Sequence, residues 1–237
     1  MIETPFLPEK YHVLIIEDNQ YFRHLLQNSL TRTGYQVSSI EDGRSLQEQM
    51  EKQPVNMILV DLMLPYVNGK ELIRQVREDS TLPIMVITSL SHPDDLVECL
   101  SLGADEYITK PFSFNVMLAR VEALLRRQEW NEEEKAVLSG NELIHLDEQK
   151  SEVIIQGRHE RLTPQEYRFL SYMFGKADLV VSSKTLMQEV WHTDCLSNTL
   201  ISSMVRRIRH KIEADPSEPK FLLTIWGRGY KLRLDQD

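Results

Sequence analysis

The sequence is poor in cysteine. Cys99 and Cys195 are the only two among 237 residues, far apart and without metal-ligand spacing. A disulfide framework and a structural zinc site have no support, and a reducing cytoplasm is the expected home. Long apolar runs are also missing. No stretch approaches the roughly 20 residues that span a bilayer. Met1–Lys10, with Pro5, Pro8 and Glu9, lacks the apolar segment of a secretion signal, so no membrane partner is expected. Glycine and proline are few, at 9 and 10 residues, while 41% of the chain is hydrophobic. Such a chain can bury a core, which excludes wholesale disorder.

Basic residues are outnumbered, and the net charge is −9, yet the deficit is uneven. Residues 1–127 carry 12 Lys/Arg against 18 Asp/Glu, and 128–138 carry 1 against 4. Residues 139–237 carry 14 of each, and Asn198–Ile212 holds Arg206, Arg207, Arg209 and Lys211 with no acid. Screening limits the reach of distant charge to about 10 Å, so a local basic patch decides phosphate binding and the whole-chain charge does not.

Hydrophobic periodicity divides the chain. In the first half, Val13–Ile16, Val55–Val60 and Ile84–Ile87 are short, nearly continuous apolar runs, with weaker strand candidates at Gly34–Ser39 and Asp105–Thr109. Amphipathic helical patterns lie between them. Strands buried on both faces and alternating with helices predict an α/β fold, a doubly wound five-stranded parallel sheet, over 1–127. Gln128–Lys135 breaks the pattern and is acidic, so 128–138 reads as a linker. Residues 139–237 predict an α+β unit. Its expected parts are strands at Glu142–Leu146 and Glu152–Gln156, helices near Pro164–Phe174, Lys184–Trp191 and Asn198–Glu213, and a closing hairpin, Phe221–Trp226 with Tyr230–Leu234. Thr163-Pro-Gln-Glu166 is a capping-box helix start.

Ligands of open parallel sheets bind at the carboxyl ends of the strands. There the apolar runs end in Glu17-Asp18, Asp61, Thr88 and, near the fifth, Lys110. Any one of these alone is a helix cap or a solvated loop residue. Three carboxylates, a hydroxyl and an ammonium on one edge suit metal-assisted phosphoryl transfer: carboxylates for Mg²⁺, Asp61 as nucleophile, Lys110 and Thr88 for phosphoryl oxygens.

These residues carry a family resemblance. Glu17-Asp18, Asp61-Leu-Met-Leu-Pro65 with Gly69, Thr88-Ser89, and Gly103-Ala-Asp105 leading to Lys110-Pro-Phe112 resemble a bacterial response-regulator receiver of the flavodoxin/CheY-like fold. The resemblance implies that Asp61 accepts a phosphoryl group from a sensor histidine kinase. It implies that Glu17, Asp18, Asp61 and the Met63 backbone carbonyl hold Mg²⁺. Thr88 and Tyr107 become the switch pair, and Lys110–Pro111 a cis peptide. Phosphatases with an Asp nucleophile place a second Asp two residues later, where this chain has Met63, so the enzyme reading ranks low.

The second half resembles the winged-helix effector of OmpR/PhoB-type regulators. The matching segments are Leu162–Leu170, Val180–Leu186, Val190-Trp191, Arg206–Ile212 and Thr224–Lys231. The resemblance implies promoter DNA as partner. Ser203, Arg206, Arg207, His210 and Lys211 are expected on the outward face of the recognition helix, with Arg209 near its edge, Thr224 as a phosphate anchor and Arg228 at the wing tip. His192–Ser197 takes the place where the family meets RNA polymerase. A homodimer, at least when phosphorylated, is expected through Leu96, Asp105, Glu106, Val116 and Arg120, with Leu96 and Val116 in place of one charged pair. His12, His24, His145 and His159 are expected at the surface. The competing reading is a constitutive DNA-binding protein whose receiver is a pairing scaffold.

Overall fold

The computed structural model describes residues 6–126, 138–140, 143–147, 150–192 and 197–234. The chain forms two compact units, residues 1–129 and 130–237. The expected linker lies outside the described residues except for Leu138, which already begins a strand.

The first unit contains β1 (His12–Ile16), α1 (Gln20–Arg32), β2 (Gln36–Ile40), α2 (Leu46–Lys52), β3 (Met57–Val60), α3 (Gly69–Asp79), β4 (Ile84–Thr88), α4 (Pro93–Leu102), β5 (Glu106–Thr109) and α5 (Phe114–Arg126). Its sheet is parallel throughout, in the order β2-β1-β3-β4-β5. Every residue of β1, β3 and β4 is buried, which is why those runs are apolar without alternation. Each fully buried Leu or Ile contributes about 1.5–3 kcal/mol. Strand order reverses at β1, so a crevice opens between the carboxyl ends of β1 and β3. Asn19 caps α1 by accepting from Phe22 N–H, and Asn68 caps α3 by accepting from Lys70 N–H, so both helices start just beyond the acidic strand ends.

His12 corrects an expectation: it is buried, with Nδ1 2.9 Å from the Pro54 carbonyl and Nε2 2.9 Å from Ser38 Oγ. A histidine between polar and apolar neighbours carries no sequence mark of which side it faces. Cys99 is buried on α4, and burial pushes its thiol up to about 12. With Cys195 replaced by Ser, the native chain is expected to give no reaction with a thiol reagent and one equivalent after unfolding. Rapid labelling of the native protein would contradict that burial.

The second unit begins with an antiparallel sheet of β6 (Leu138–Gly140), β7 (Ile144–Asp147), β8 (Glu152–Ile155) and β9 (Arg158–Arg161). Then follow α6 (Pro164–Phe174), β10 (Val180–Val181), α7 (Ser183–Trp191), α8 (Asn198–Ile212), β11 (Leu222–Ile225) and β12 (Gly229–Leu232). β12 lies between β10 and β11, so the hairpin is held by a third strand. The capping box of α6 is complete: Thr163 Oγ1 accepts from Glu166 N–H, and Glu166 Oε2 accepts from Thr163 N–H.

Candidate functional site

The strand ends bring the acidic residues together. Carboxylate oxygens of Glu17, Asp18 and Asp61 lie within 4.8 Å of one another. Glu17 and Asp61 are buried and Asp18 is exposed. Lys110 reaches over from the end of β5, its Nζ 2.7 Å from Glu17 Oε2 and 2.6 Å from Asp61 Oδ2. The same ammonium sits 4.2 Å from the centre of the Phe22 ring, a cation–π contact that helps hold it. Lys110–Pro111 is cis. The other oxygen of Asp61 accepts from Met63 N–H at 3.0 Å.

One ammonium faces three carboxylates, which leaves the cluster under-neutralised. Burial pushes the Glu17 carboxyl up, and Lys110 offsets only part of this. A partly buried oxygen set of this kind suits a hard divalent cation such as Mg²⁺, which takes few carboxylates and keeps open positions. The donor chemistry therefore fits Mg²⁺.

The backbone beneath the site is tightly drawn. A Cβ on Gly69 would fall 2.7 Å from Leu62 Cα, so only glycine lets α3 begin this close to the end of β3. Arg23 of α1 donates to the carbonyls of Glu17 and Asp18, fixing the loop that presents them. Sequence reading missed Arg23, whose only signal is its place one turn into the helix after the acids.

Thr88 is fully buried at the end of β4, and its Oγ1 accepts from Leu90 N–H at 3.4 Å. Tyr107 is turned inward: its ring is buried, and its hydroxyl donates to the Leu90 carbonyl at 2.8 Å. Burial pushes that phenol up to about 12, so it stays protonated and able to donate. Both members of the expected switch pair thus meet the same residue of the β4–α4 loop.

In the second unit, Leu200, Ile201, Met204, Val205, Ile208 and Ile212 form the buried stripe of α8. The opposite side exposes Thr199, Ser202, Arg206 and His210, while Ser203 is half-buried. The expected basic face is narrower than the sequence suggested. Lys211 is drawn inward, with Nζ 2.6 Å from Oε2 of the buried Glu166 and 2.7 Å from the Arg161 carbonyl. Arg207 leans on the same carboxylate at 3.5 Å.

Arg209 is a further correction. Its guanidinium donates to the Leu222 carbonyl at 2.9 and 2.7 Å and to Thr224 Oγ1 at 2.9 Å. Arg209 therefore braces the hairpin against α8 instead of standing free for phosphate, while Thr224 accepts from it and keeps its own hydroxyl hydrogen to donate. Arg228 is exposed at the hairpin tip. Residues 193–196 of the expected polymerase-facing segment, and Cys195 with them, lie outside the described residues.

Comparison with known proteins agrees with both units. The family model described as response regulator receiver domain matches residues 13–122, and that described as transcriptional regulatory protein, C terminal, matches 157–232. The chain belongs to the OmpR/PhoB-type response regulators. It is 36% identical to the uncharacterized transcriptional regulatory protein YrkP of Bacillus subtilis, over 93% of this chain and 97% of that protein. It is 34% identical to the sensory transduction protein RegX3 of Mycolicibacterium smegmatis, over 93% and 98%. A RitR mutant structure superposes with a TM-score of 0.62 at 21% identity, covering 94% of this chain and 98% of that one, a likeness that speaks for the fold alone. The response regulator is a two-component transcription regulator, and among its described residues no helix is long and apolar enough to cross a membrane.

The regulator's expected dimer residues separate into two groups. Val116 is exposed on α5 and Leu96 is half-buried on α4, while Glu106 and Arg120 form an ion pair with each other. Asp105 does not reach the surface. It is fully buried, with Oδ2 2.7 Å from Arg77 Nη2 and 2.9 Å from Ile84 N. An Asp just before a strand reads as a surface residue until the arginine beneath it is seen.

Proposed function

We propose that Asp61 is the phosphoacceptor and that its phosphorylation by a sensor histidine kinase favours pairing of receivers and promoter binding by the second unit. The observation that carries this reading is the convergence of Glu17, Asp18 and Asp61 within 4.8 Å, with Lys110 bridging Glu17 and Asp61. A carboxylate oxygen of Asp61 attacks phosphorus, a P–O bond forms, and the P–N bond to the kinase imidazole breaks. The imidazole nitrogen leaves with the electron pair and takes a proton. Glu17, Asp18, Asp61 and the Met63 carbonyl would hold Mg²⁺, which supplies charge for the phosphoryl oxygens when bound. Lys110 and the Thr88 hydroxyl then donate to those oxygens. Nothing here needs turnover of a substrate pool, in keeping with a regulator rather than an enzyme.

Exposed Val116, with Leu96 and the Glu106–Arg120 pair nearby in sequence, supports a self-pairing surface on α4, β5 and α5. Pairing joins two DNA-binding units and raises their effective concentration at adjacent half-sites. Arg206, His210, Ser203, Arg207 and Arg228 are the side chains assigned to DNA. The bacterial cytoplasm, where kinase and promoter meet, is the setting this requires.

Intact mass after incubation with Mg²⁺ and a small phosphodonor tests the reading. The wild-type chain should gain one phosphoryl group, and Asp61→Asn should gain none. No gain by the folded wild-type chain with a competent donor would sink it and favour a receiver that acts only as a pairing scaffold.

A further inference from the structure

We propose that Arg44 and Tyr66 are positioning residues of the Mg²⁺ site, a clasp that holds the β3–α3 loop in the form that offers the Met63 carbonyl to the ion. Tyr66 has φ +68°, in the left-handed region that a bulky side chain avoids. Val67 N–H donates to the Pro65 carbonyl at 2.8 Å, which makes Tyr66 the centre of a γ-turn of the rare, strained hand. A residue stays in such a conformation only where its surroundings hold it there. The ring is 78% exposed, so burial does not hold it. Arg44 does, with its guanidinium carbon 4.1 Å from the ring centre.

The guanidinium is itself aimed. Arg44 Nε donates to Asp42 Oδ1 at 3.1 Å and Nη2 to Oδ2 at 2.8 Å, a two-pronged pair with a buried residue. Arg44 N–H donates to the same Oδ1 at 2.9 Å. The turn that carries Arg44 rests directly on α3, since a Cβ on Gly43 would fall 2.5 Å from the Leu72 side chain.

Strand order supplies the link to the site. β1 lies between β2 and β3, so the turn after β2 and the loop after β3 flank the strand end that presents Glu17 and Asp18. The Arg44–Tyr66 contact joins those two segments. The β3–α3 loop is closed at its base as well, where Gly69 N–H donates to the Leu62 carbonyl at 3.2 Å. Met63 lies between this base and the clasped turn, and its own N–H is committed to Asp61. Fixing both ends removes freedom that the loop would otherwise lose when its carbonyl binds an ion, and that favours affinity.

This inference rests on the reading of Glu17, Asp18, Asp61 and the Met63 carbonyl as the Mg²⁺ ligands, and the test separates the two. The isotope-labelled full chain is titrated with Mg²⁺, and the dissociation constant is read from the amide shifts around Asp61. Tyr66→Ala, Tyr66→Gly and Arg44→Ala should each raise it about fivefold, the upper end for an exposed cation–π contact. The double variant Arg44→Ala/Tyr66→Ala should bind no more weakly than either single one, because the same contact is lost in all three. Tyr66→Phe keeps the ring and should bind as the wild type does. Phosphorylation by an acyl phosphate should need correspondingly more Mg²⁺ in the clasp variants. It should still reach the wild-type rate at saturation, since Asp61, Thr88 and Lys110 are untouched.

Tyr66→Gly is the deciding variant, because glycine takes a positive φ freely but has no ring. Wild-type affinity there would show that the backbone form alone matters, overturning the clasp and leaving the metal reading in place. A wild-type chain whose amides ignore Mg²⁺ would overturn both. A loss that saturating Mg²⁺ does not repair would make the pair a general brace of the fold and overturn the positioning role.

Discussion

Replacing Asp105 by Ala is expected to lower the stability of the receiver by about 3–5 kcal/mol, the usual cost of stranding one member of a buried ion pair. Arg77 lies beneath it with a side chain only 9% exposed, and its guanidinium also donates to the carbonyls of Gly103, Ser80 and Leu82. One arginine therefore stitches the end of α3 to the start of β4 and of β5. Without the carboxylate, a largely buried guanidinium loses its 2.7 Å ion-pair partner, and Ile84 N–H loses its acceptor. Asp105→Asn keeps an acceptor oxygen and should cost less. Hydrogen exchange locates the effect: protection should fall across residues 6–126 and stay unchanged across 150–234. A variant that loses less than about 1 kcal/mol, a surface-pair value, and instead pairs poorly would return Asp105 to the dimer surface.

Gly229→Ala should be equally damaging in the other unit. Gly229 has φ +134°, a conformation L side chains rarely adopt, and an added Cβ would stand 2.8 Å from the carbonyl carbon of Val181. That carbon is backbone and not the end of a flexible side chain, so β10 or β12 must move. Strain and overpacking together amount to about 4 kcal/mol. For a unit of about 100 residues that corresponds to a fall in melting temperature of roughly 15 °C or more. The wing would also shift relative to α8, so binding to a duplex enriched from a random-sequence pool should fall even where the variant remains folded. Gly227→Ala is the informative contrast. Nothing lies within 4 Å of its added Cβ, so it meets only the φ penalty of +70°. Equal melting temperatures for the two variants would contradict the close approach of β12 to β10.

Much of the fold was legible because burial on both faces leaves a strand few residue choices. Val13–Ile16 and Ile84–Ile87 each fall within one residue of the observed β1 and β4, and Thr163–Glu166 marked the start of α6. The misses were strands without that constraint. β9 is Arg158-His-Glu-Arg161, mostly exposed, and its pairing with β8 left no hydrophobic trace. β6 begins at Leu138, where sequence placed the end of a linker.

The acidic edge was legible for a similar reason. A parallel sheet delivers whatever follows each strand to one side, so Glu17, Asp18, Asp61, Thr88 and Lys110 could be assembled from their order alone. What the sequence determined by itself, then, was the class of each unit, the strand ends and the acidic cluster: local period sets the elements, and chain order with right-handed crossovers sets the edge. Tertiary structure decided which charges are free. Lys211 and Arg209 sit on the recognition helix among residues that face solvent, yet Glu166, forty-five residues earlier, and the Leu222 carbonyl capture them. Asp105, His12 and Tyr107 were decided in the same way, by a partner brought in from another element. A long or polar side chain at the margin of a buried face is drawn to whichever partner lowers its desolvation cost most, and only the packed chain brings that partner into reach.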